Sequence, residues 1–373
     1  MSDQPLLLSE LPLADGRVIA VACLNAPRAL NALSLEMIEQ LLPQMQAWAK
    51  DARVAAVWLE GAGEKAFCAG GDIVALYRSM TDYAASNDPA QRNPYAEHFF
   101  TQEYRLDYLI HTYPKPVIVW GHGIIMGGGM GLFAGASCRV VTEQSRLAMP
   151  EVSIGLYPDV GGSWFLNRMP GRVGLFLGLT GAQMNAADAL WLGLADRFVR
   201  HESKATVQQQ LMQSDWSRPA QQVIHQVLRA HEAQSWSALP ESPVQQHYAQ
   251  IQALTDAATP RALIEQLLAA EVESPWLARA LKSLAAGSTT SMLLIPAQLE
   301  RCRHASLKEV FQQELNLSVQ AALQGEFTEG IRALLIDKDK TPRWRYPSVR
   351  EVEASWIEGF FAPLWPESPL KDL

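Results

Sequence analysis

Apolar residues gather first into short runs separated by stretches of helical period. Residues 17–24, RVIAVACL, and 54–59, VAAVWL, predict strands, the second the more buried. Between them Leu35, Ile38, Leu42 and Met45 recur at helical spacing, with Ser34 placed as the cap and Glu36 in the first turn; Pro43 interrupts the pattern. A further apolar run at 117–120 leads into a glycine cluster and then a strand-like RVV from Arg139. Strands alternating with helices predict an α/β fold. Beyond about residue 200 the period is helical, in "ATVQQQLMQ", "AQQVIHQVLRAHEAQ", "VQQHYAQIQAL", "ALIEQLLAAEV" and "LKEVFQQELNLSVQAAL", with Pro and Ser breaks between. The expected organisation is a core over residues 1–200 followed by a mainly helical region over 201–373.

With 373 residues, 48% of them hydrophobic, the chain can fill a large core. A net charge of -8 argues against a broad nucleic-acid surface, so an anionic ligand needs a local cation or backbone amides. Cys23, Cys68, Cys138 and Cys302 are scattered without a CxxC, which fits a reduced chain. No HExxH or Cys/His cluster indicates a metal. The first residues carry Asp3, Glu10 and Asp15 and no basic stretch leading into an apolar run, so the expected location is cytoplasmic. Residues 116–137 lack Lys, Arg, Asp and Glu and place Gly127, Gly131 and Gly135 at small-xxx-small spacing. Each glycine there would cost a helix about 1 kcal/mol, and no second comparable span follows, so a membrane segment is not expected.

Two loops rich in glycine, "GAGEKAFCAGGD" and "GHGIIMGGG", follow predicted strands, where α/β proteins place ligands. Gly129, Gly131 and Ala134 match the GxGxxA spacing of dinucleotide folds, with Glu151 twenty residues beyond Gly131. The strand ending near Trp120 is nevertheless too far upstream for the tight turn that motif needs. Neither a P-loop nor a GxSxG elbow is present. His122 is a candidate base without an evident partner, and a hydrogen-bonded loop histidine is the plainer reading. The loops are then either tight turns or an oxyanion hole, in which amides stabilise charge on a thioester oxygen and glycine permits close approach. In "AMPEVSIGLYPDVGG", residues 148–162, Glu151 and Asp159 stand among apolar neighbours, and Pro150, Gly155 and Pro158 disfavour a single helix. Such acids are exposed turn residues or functional groups, since acids are rarely buried without a role.

Taken in order, "KAFCAGGDI", "GHGIIMGGGMGL" and "MPEVSIGLYPDVGG" closely resemble the crotonase, or enoyl-CoA hydratase/isomerase, superfamily. "FTEGIRALLIDKDKTPRW", residues 327–344, resembles its 3-hydroxyisobutyryl-CoA hydrolase branch, and the likeness runs from about Val18 to Trp344. It implies a superhelix of ββα units with a helical C-terminal region, and hydrolysis of a short 3-hydroxyacyl-CoA thioester, as in valine breakdown. The amides of Gly71 and Gly128 would form the oxyanion hole. Glu151 falls on the carboxylate that crotonases use; in this branch it attacks the thioester to give a mixed anhydride that water opens. Asp159 falls on a second acid that hydratases generally lack, acting on the water or on the leaving thiolate. Glu103, in "FTQEYRLD", matches a residue placed near the acyl group. No cofactor is implied, coenzyme A entering as part of the substrate. Arg28 and Lys65 are candidate contacts for its phosphates, with solvated surface charge as the alternative. The family often assembles as trimers or pairs of trimers. One position departs from hydratases that pair two glutamates: the residue after the glycine triplet that carries the first of them is here Gly131, so hydration by such a pair is not expected. A hydratase or isomerase, and an inactive acyl-CoA-binding protein, are the alternatives.

Overall fold

The computed structural model describes residues 4–86 and 92–373, so Asp3 lies outside it. Among the described residues the strands are β1 (Leu6–Pro12), β2 (Val18–Leu24), β3 (Val54–Gly61), β4 (Ala66–Cys68), β5 (Val117–Gly121), β6 (Ile124–Met126), β7 (Cys138–Val141), β8 (Arg146–Ala148) and β9 (Arg197–Phe198). Two compact units are built from interleaved segments. The first holds the residues up to Gly71 with Leu106–Leu147 and Met184–Gln245; the second holds Asp72–Arg105, Ala148–Gln183 and Gln246–Leu373. Residues beyond 200 thus contribute to both.

In the first unit a six-stranded sheet runs β1-β2-β3-β5-β7-β9, antiparallel only between β1 and β2. Its inner strands are apolar and buried along most of their length, as parallel strands inside a sheet are, with Glu60 of β3 and Arg139 of β7 the charged residues among them. Trp58 and Trp120, on adjacent strands, stack with centroids 5.6 Å apart. The helices Lys204–Gln213 and Ala220–Ser235 add Val207, Leu211, Val223, Ile224 and Leu228 to the same core. The helix expected after Ser34 is Leu35–Lys50, and the Ser34 side chain accepts from Met37 N–H. A smaller sheet runs β4-β6-β8. Residues 116–137 divide into β5, β6 and the short helix Gly128–Ala134, and among the described residues no helix is long and apolar enough to cross a membrane.

The second unit is predominantly helical. It includes Ile73–Ser86, most of Pro94–His111, Val173–Thr180, Thr289–Cys302 and Leu307–Gln324. Leu307–Gln324 opens with a capping box from Ser306 and Glu309 and closes at Gly325 in the left-handed region. The mixed α/β architecture and the helical region beyond residue 200 agree with the fold class expected from the sequence.

Candidate active site

The two glycine loops lie side by side in the first unit. β4 and β6 are parallel neighbours, with Cys68 opposite Ile125, so the chain leaves both at the same end of the sheet. Gly70 and Gly127 there adopt φ of +124° and +48°, a region open chiefly to glycine. A β-carbon on Gly70 would lie 3.6 Å from the Met126 carbonyl oxygen, and one on Gly129 only 2.2 Å from that of Cys68. Gly128 is the first residue of its helix, so its N–H precedes any intrahelical acceptor. Gly71 and Gly128, the two expected oxyanion donors, therefore sit on adjacent loops. Gly129→Ala is expected to destabilise the fold by about 1–3 kcal/mol, as overpacked core substitutions do, read as a lower denaturant midpoint at unchanged slope.

Gly131 has a related cause. A β-carbon there would fall 2.6 Å from Asp107 Oδ2, so the Asp107 carboxyl, fully buried, fills the space in which a side chain at 131 would start. Asp107 escaped notice in the sequence because only the fold brings it to the glycine helix. β6 also escaped notice, being three residues long, and it does place a strand directly before the glycines. The dinucleotide reading still fails, since protein atoms of Cys68 and Asp107 occupy the room that a pyrophosphate would need at Gly129 and Gly131. His122 is buried, with Nε2 2.8 Å from the Gly63 carbonyl and its ring stacked on His201, as a hydrogen-bonded loop histidine. Arg28 and Lys65 are exposed on neighbouring loops; Pro27 lies 3.2 Å from the position of a β-carbon on Gly63.

The acids gather in the second unit. Glu151 and Asp159 are only 4% and 5% exposed, which removes the reading of solvated turn residues, and Glu103 is 2% exposed. Glu103 and Tyr104 come from Pro94–His111. Glu151 opens a short 3-10 helix, Glu151–Ile154, closed by Gly155 at φ +72°. That turn is clamped from the C-terminal motif: β-carbons on Gly155 and Gly330 would strike the backbones of Glu326 and Ile154 at 2.4 and 2.3 Å. Ser288 adds a bond from its N–H to the Val152 carbonyl at 2.9 Å and one from its hydroxyl to Glu326. Asp159 is followed by Val160 at φ +53°, a conformation costing a β-branched residue roughly 1–3 kcal/mol. Glu314 holds that loop, accepting from Gly161 N–H at 2.7 Å and Ser163 N–H at 2.9 Å.

A hydroxyl network meets Asp159. Tyr104 lies 2.6 Å from Asp159 Oδ2 and 2.6 Å from Ser318 Oγ; Ser318 lies 2.8 Å from the Tyr157 hydroxyl, which donates to the Glu314 carbonyl at 2.8 Å. Among the described residues Glu151 Oε2 has no hydrogen-bond partner. Burial, and then the charge of Asp159, hold the Glu151 and Glu103 carboxyls well above the ordinary range. Burial pushes Asp159 up to about 6, against the pull of the Tyr104 hydrogen bond. Glu314 is pushed by burial to about 8 despite its two amide donors. Tyr104, Tyr157, Glu314 and Ser318 were not singled out from the sequence. The two tyrosines could have been, because each stands beside a candidate acid in "QEYR" and "LYPD". Glu314 and Ser318 share a helix face at i, i+4, and nothing local marks them.

Parallel strands ending in paired glycine loops, on a mixed α/β fold, are the framework of a crotonase-type enzyme. The chain belongs to the enoyl-CoA hydratase/isomerase family, whose model matches residues 19–361. It is similar to proteins named 3-hydroxyisobutyryl-CoA hydrolase, mitochondrial, from Gallus gallus (37% identity), Danio rerio (38%) and Homo sapiens (36%). Each match covers 92% of this chain and 86–87% of the relative. Among solved structures it resembles a carnitinyl-CoA dehydratase from Mycobacterium thermoresistibile, with TM-score 0.85, 32% identity and all of both chains covered. An enoyl-CoA hydratase from Rhodobacter sphaeroides 2.4.1 gives TM-score 0.81 at 32% identity, over 98% of this chain and 99% of that one. The relatives' names overturn one expectation, the cytoplasmic location, since these enzymes are named as mitochondrial. The four free cysteines show a thiol state, and a thiol state does not tell one reducing compartment from another.

Proposed function

We propose that this protein hydrolyses 3-hydroxyisobutyryl-CoA to 3-hydroxyisobutyrate and coenzyme A. The observation that carries this reading is the name shared by relatives 36–38% identical over 92% of the chain. The buried acids supply a mechanism. Glu151, its buried Oε2 without a hydrogen-bond partner among the described residues, attacks the thioester carbon, and the mixed anhydride that results is opened by water. The amides of Gly71 and Gly128 take the charge that develops on the thioester oxygen in both steps. Asp159 manages the proton of the thiolate and of the water, and Glu103 lines the acyl group. Arg28 and Lys65 are two exposed cations available to the phosphates of coenzyme A, which enters as substrate rather than as cofactor.

A hydratase reading draws on the names of the two solved structures, both of which act by adding or removing water. Gly131 counts against the paired-glutamate form of that chemistry, because Asp107 already fills the room for a side chain there. Purified protein is expected to release thiol from 3-hydroxyisobutyryl-CoA much faster than it hydrates crotonyl-CoA. A panel of acyl-CoA esters assayed in parallel for free thiol and for loss of enoyl absorbance checks this, and the reverse ranking would place the protein with the hydratases. Binding of both esters without turnover would make it an acyl-CoA-binding protein.

A further inference from the structure

We propose that Tyr104, Ser318 and Tyr157 form a chain of hydroxyls that keeps a proton on Asp159, so that Asp159 serves first as the acid that protonates the departing thiolate. The reason lies in the number of protons available. Four contacts run in series: Asp159 Oδ2 to Tyr104 at 2.6 Å, Tyr104 to Ser318 at 2.6 Å, Ser318 to Tyr157 at 2.8 Å, and Tyr157 to the Glu314 carbonyl at 2.8 Å. The carbonyl at the end can only accept. Three hydroxyls bring three protons. With Asp159 ionised, one pair of these oxygens faces the other without a proton, whichever way the hydroxyls turn. A proton on Asp159 completes the series, each group donating to the next until Tyr157 donates to the carbonyl. Buried polar contacts left unfilled are costly, so the chain favours the neutral acid. Tyr104 alone would favour the carboxylate, to which it donates; the links beyond it reverse that preference.

Three other buried carboxyls feel the charge of Asp159: Glu103 beside Tyr104 on Pro94–His111, Glu151 on the segment 148–162, and Glu314 on Leu307–Gln324, each of which an ionised Asp159 makes harder to ionise. A neutral Asp159 also withdraws the charge that, after burial, does most to keep Glu151 protonated. In the first step the Glu151 carboxylate bonds to the thioester carbon, the C–S bond breaks with its electron pair on sulfur, and Asp159 gives that sulfur its proton. Tyr104 then turns to donate to the new carboxylate. In the second step water attacks the acyl carbon of the anhydride and passes one proton to Asp159. The anhydride C–O bond breaks, Glu151 leaves as carboxylate, and the product acid loses its remaining proton to solvent. Tyr104, Ser318 and Tyr157 are positioning residues here. The inference rests on the hydrolase reading for the destination of the proton, not for its presence on Asp159.

Carbon-13 NMR of aspartate carboxyls, followed against pH in the ligand-free full chain, reads Asp159 directly; its signal is the one lost in Asp159→Asn. Tyr157→Phe leaves two hydroxyl protons for two contacts, and Ser318→Ala leaves one for the single contact to Asp159, so both variants satisfy the carboxylate. Each is expected to lower the Asp159 midpoint by about one pH unit, the size of one net hydrogen bond. Tyr104→Phe removes the hydroxyl that donates to the carboxylate and is expected to raise it. The high-pH limb of thiol release should move in the same order. An unmoved midpoint in both Tyr157→Phe and Ser318→Ala, or a fall in all three variants, overturns the chain. Midpoints that shift as expected while Asp159→Asn releases thiol at the wild-type rate overturn its part in hydrolysis. Shifts as expected in a wild-type protein that cleaves no acyl-CoA would instead fault the hydrolase reading.

Discussion

Glu151→Gln is expected to reduce thiol release from 3-hydroxyisobutyryl-CoA on the order of 10⁴-fold or more, in line with the loss of other catalytic nucleophiles. Glutamine keeps the shape of the side chain and its place in the turn closed by Gly155, but it lacks the charge that attacks the thioester. Substrate binding should persist. The variant should also be at least as stable as the wild type. Burial holds the folded-state pKa of Glu151 well above its ordinary 4.5, so ionising it costs folding free energy as pH rises from about that value through the raised one, and glutamine removes this part of the slope. Rapid quench and peptide mass analysis after hydroxylamine trapping complete the test: wild-type protein should yield an adduct on Glu151 and the variant none. Normal hydrolysis by a verified Glu151→Gln protein would end the covalent mechanism.

Gly128→Pro is expected to lower turnover by about 10²- to 10³-fold, the usual consequence of losing one oxyanion donor. The position makes this an unusually clean substitution. Gly128 is the first residue of the Gly128–Ala134 helix, where proline is tolerated because its missing N–H has no intrahelical acceptor. Gly128→Ala, which keeps the amide, is the control and should retain most of the activity that Gly128→Pro loses. Equal turnover in the folded proline variant and the wild type would free Gly128 of the role.

Much of this protein is legible locally. Apolar runs and the Ser34 cap locate β2, β3, β5, β7 and the Leu35–Lys50 helix, because strand and helix periods are properties of neighbouring residues. β1 is not legible in that way. It is an edge strand with mostly exposed side chains, and pairing with β2 rather than its own alternation makes it a strand. The stretch 244–254 reads as one helix yet breaks at His247, whose ring stacks on Trp276 and meets Ser274 Oγ at 2.8 Å. The glycines of Gly128–Ala134 argue against a helix on propensity alone, and close packing on Cys68 and Asp107 overrides that penalty.

The sequence by itself determined which residues could carry chemistry: glycine loops after strands, two acids in an apolar segment, and the order of motifs that relates the chain to its family. Only the tertiary structure decided what those residues experience. Whether Glu151 and Asp159 are solvated or buried depends on helices from the far end of the chain, since Glu314, Ser318, Glu326 and Gly330 close over their turns. The Asp159 hydroxyl chain joins positions as much as 214 residues apart, Tyr104 and Ser318. Local pattern reports the propensity of a segment, whereas burial and hydrogen-bond partners are set by whatever the fold brings against it, and those are what move a carboxyl's proton.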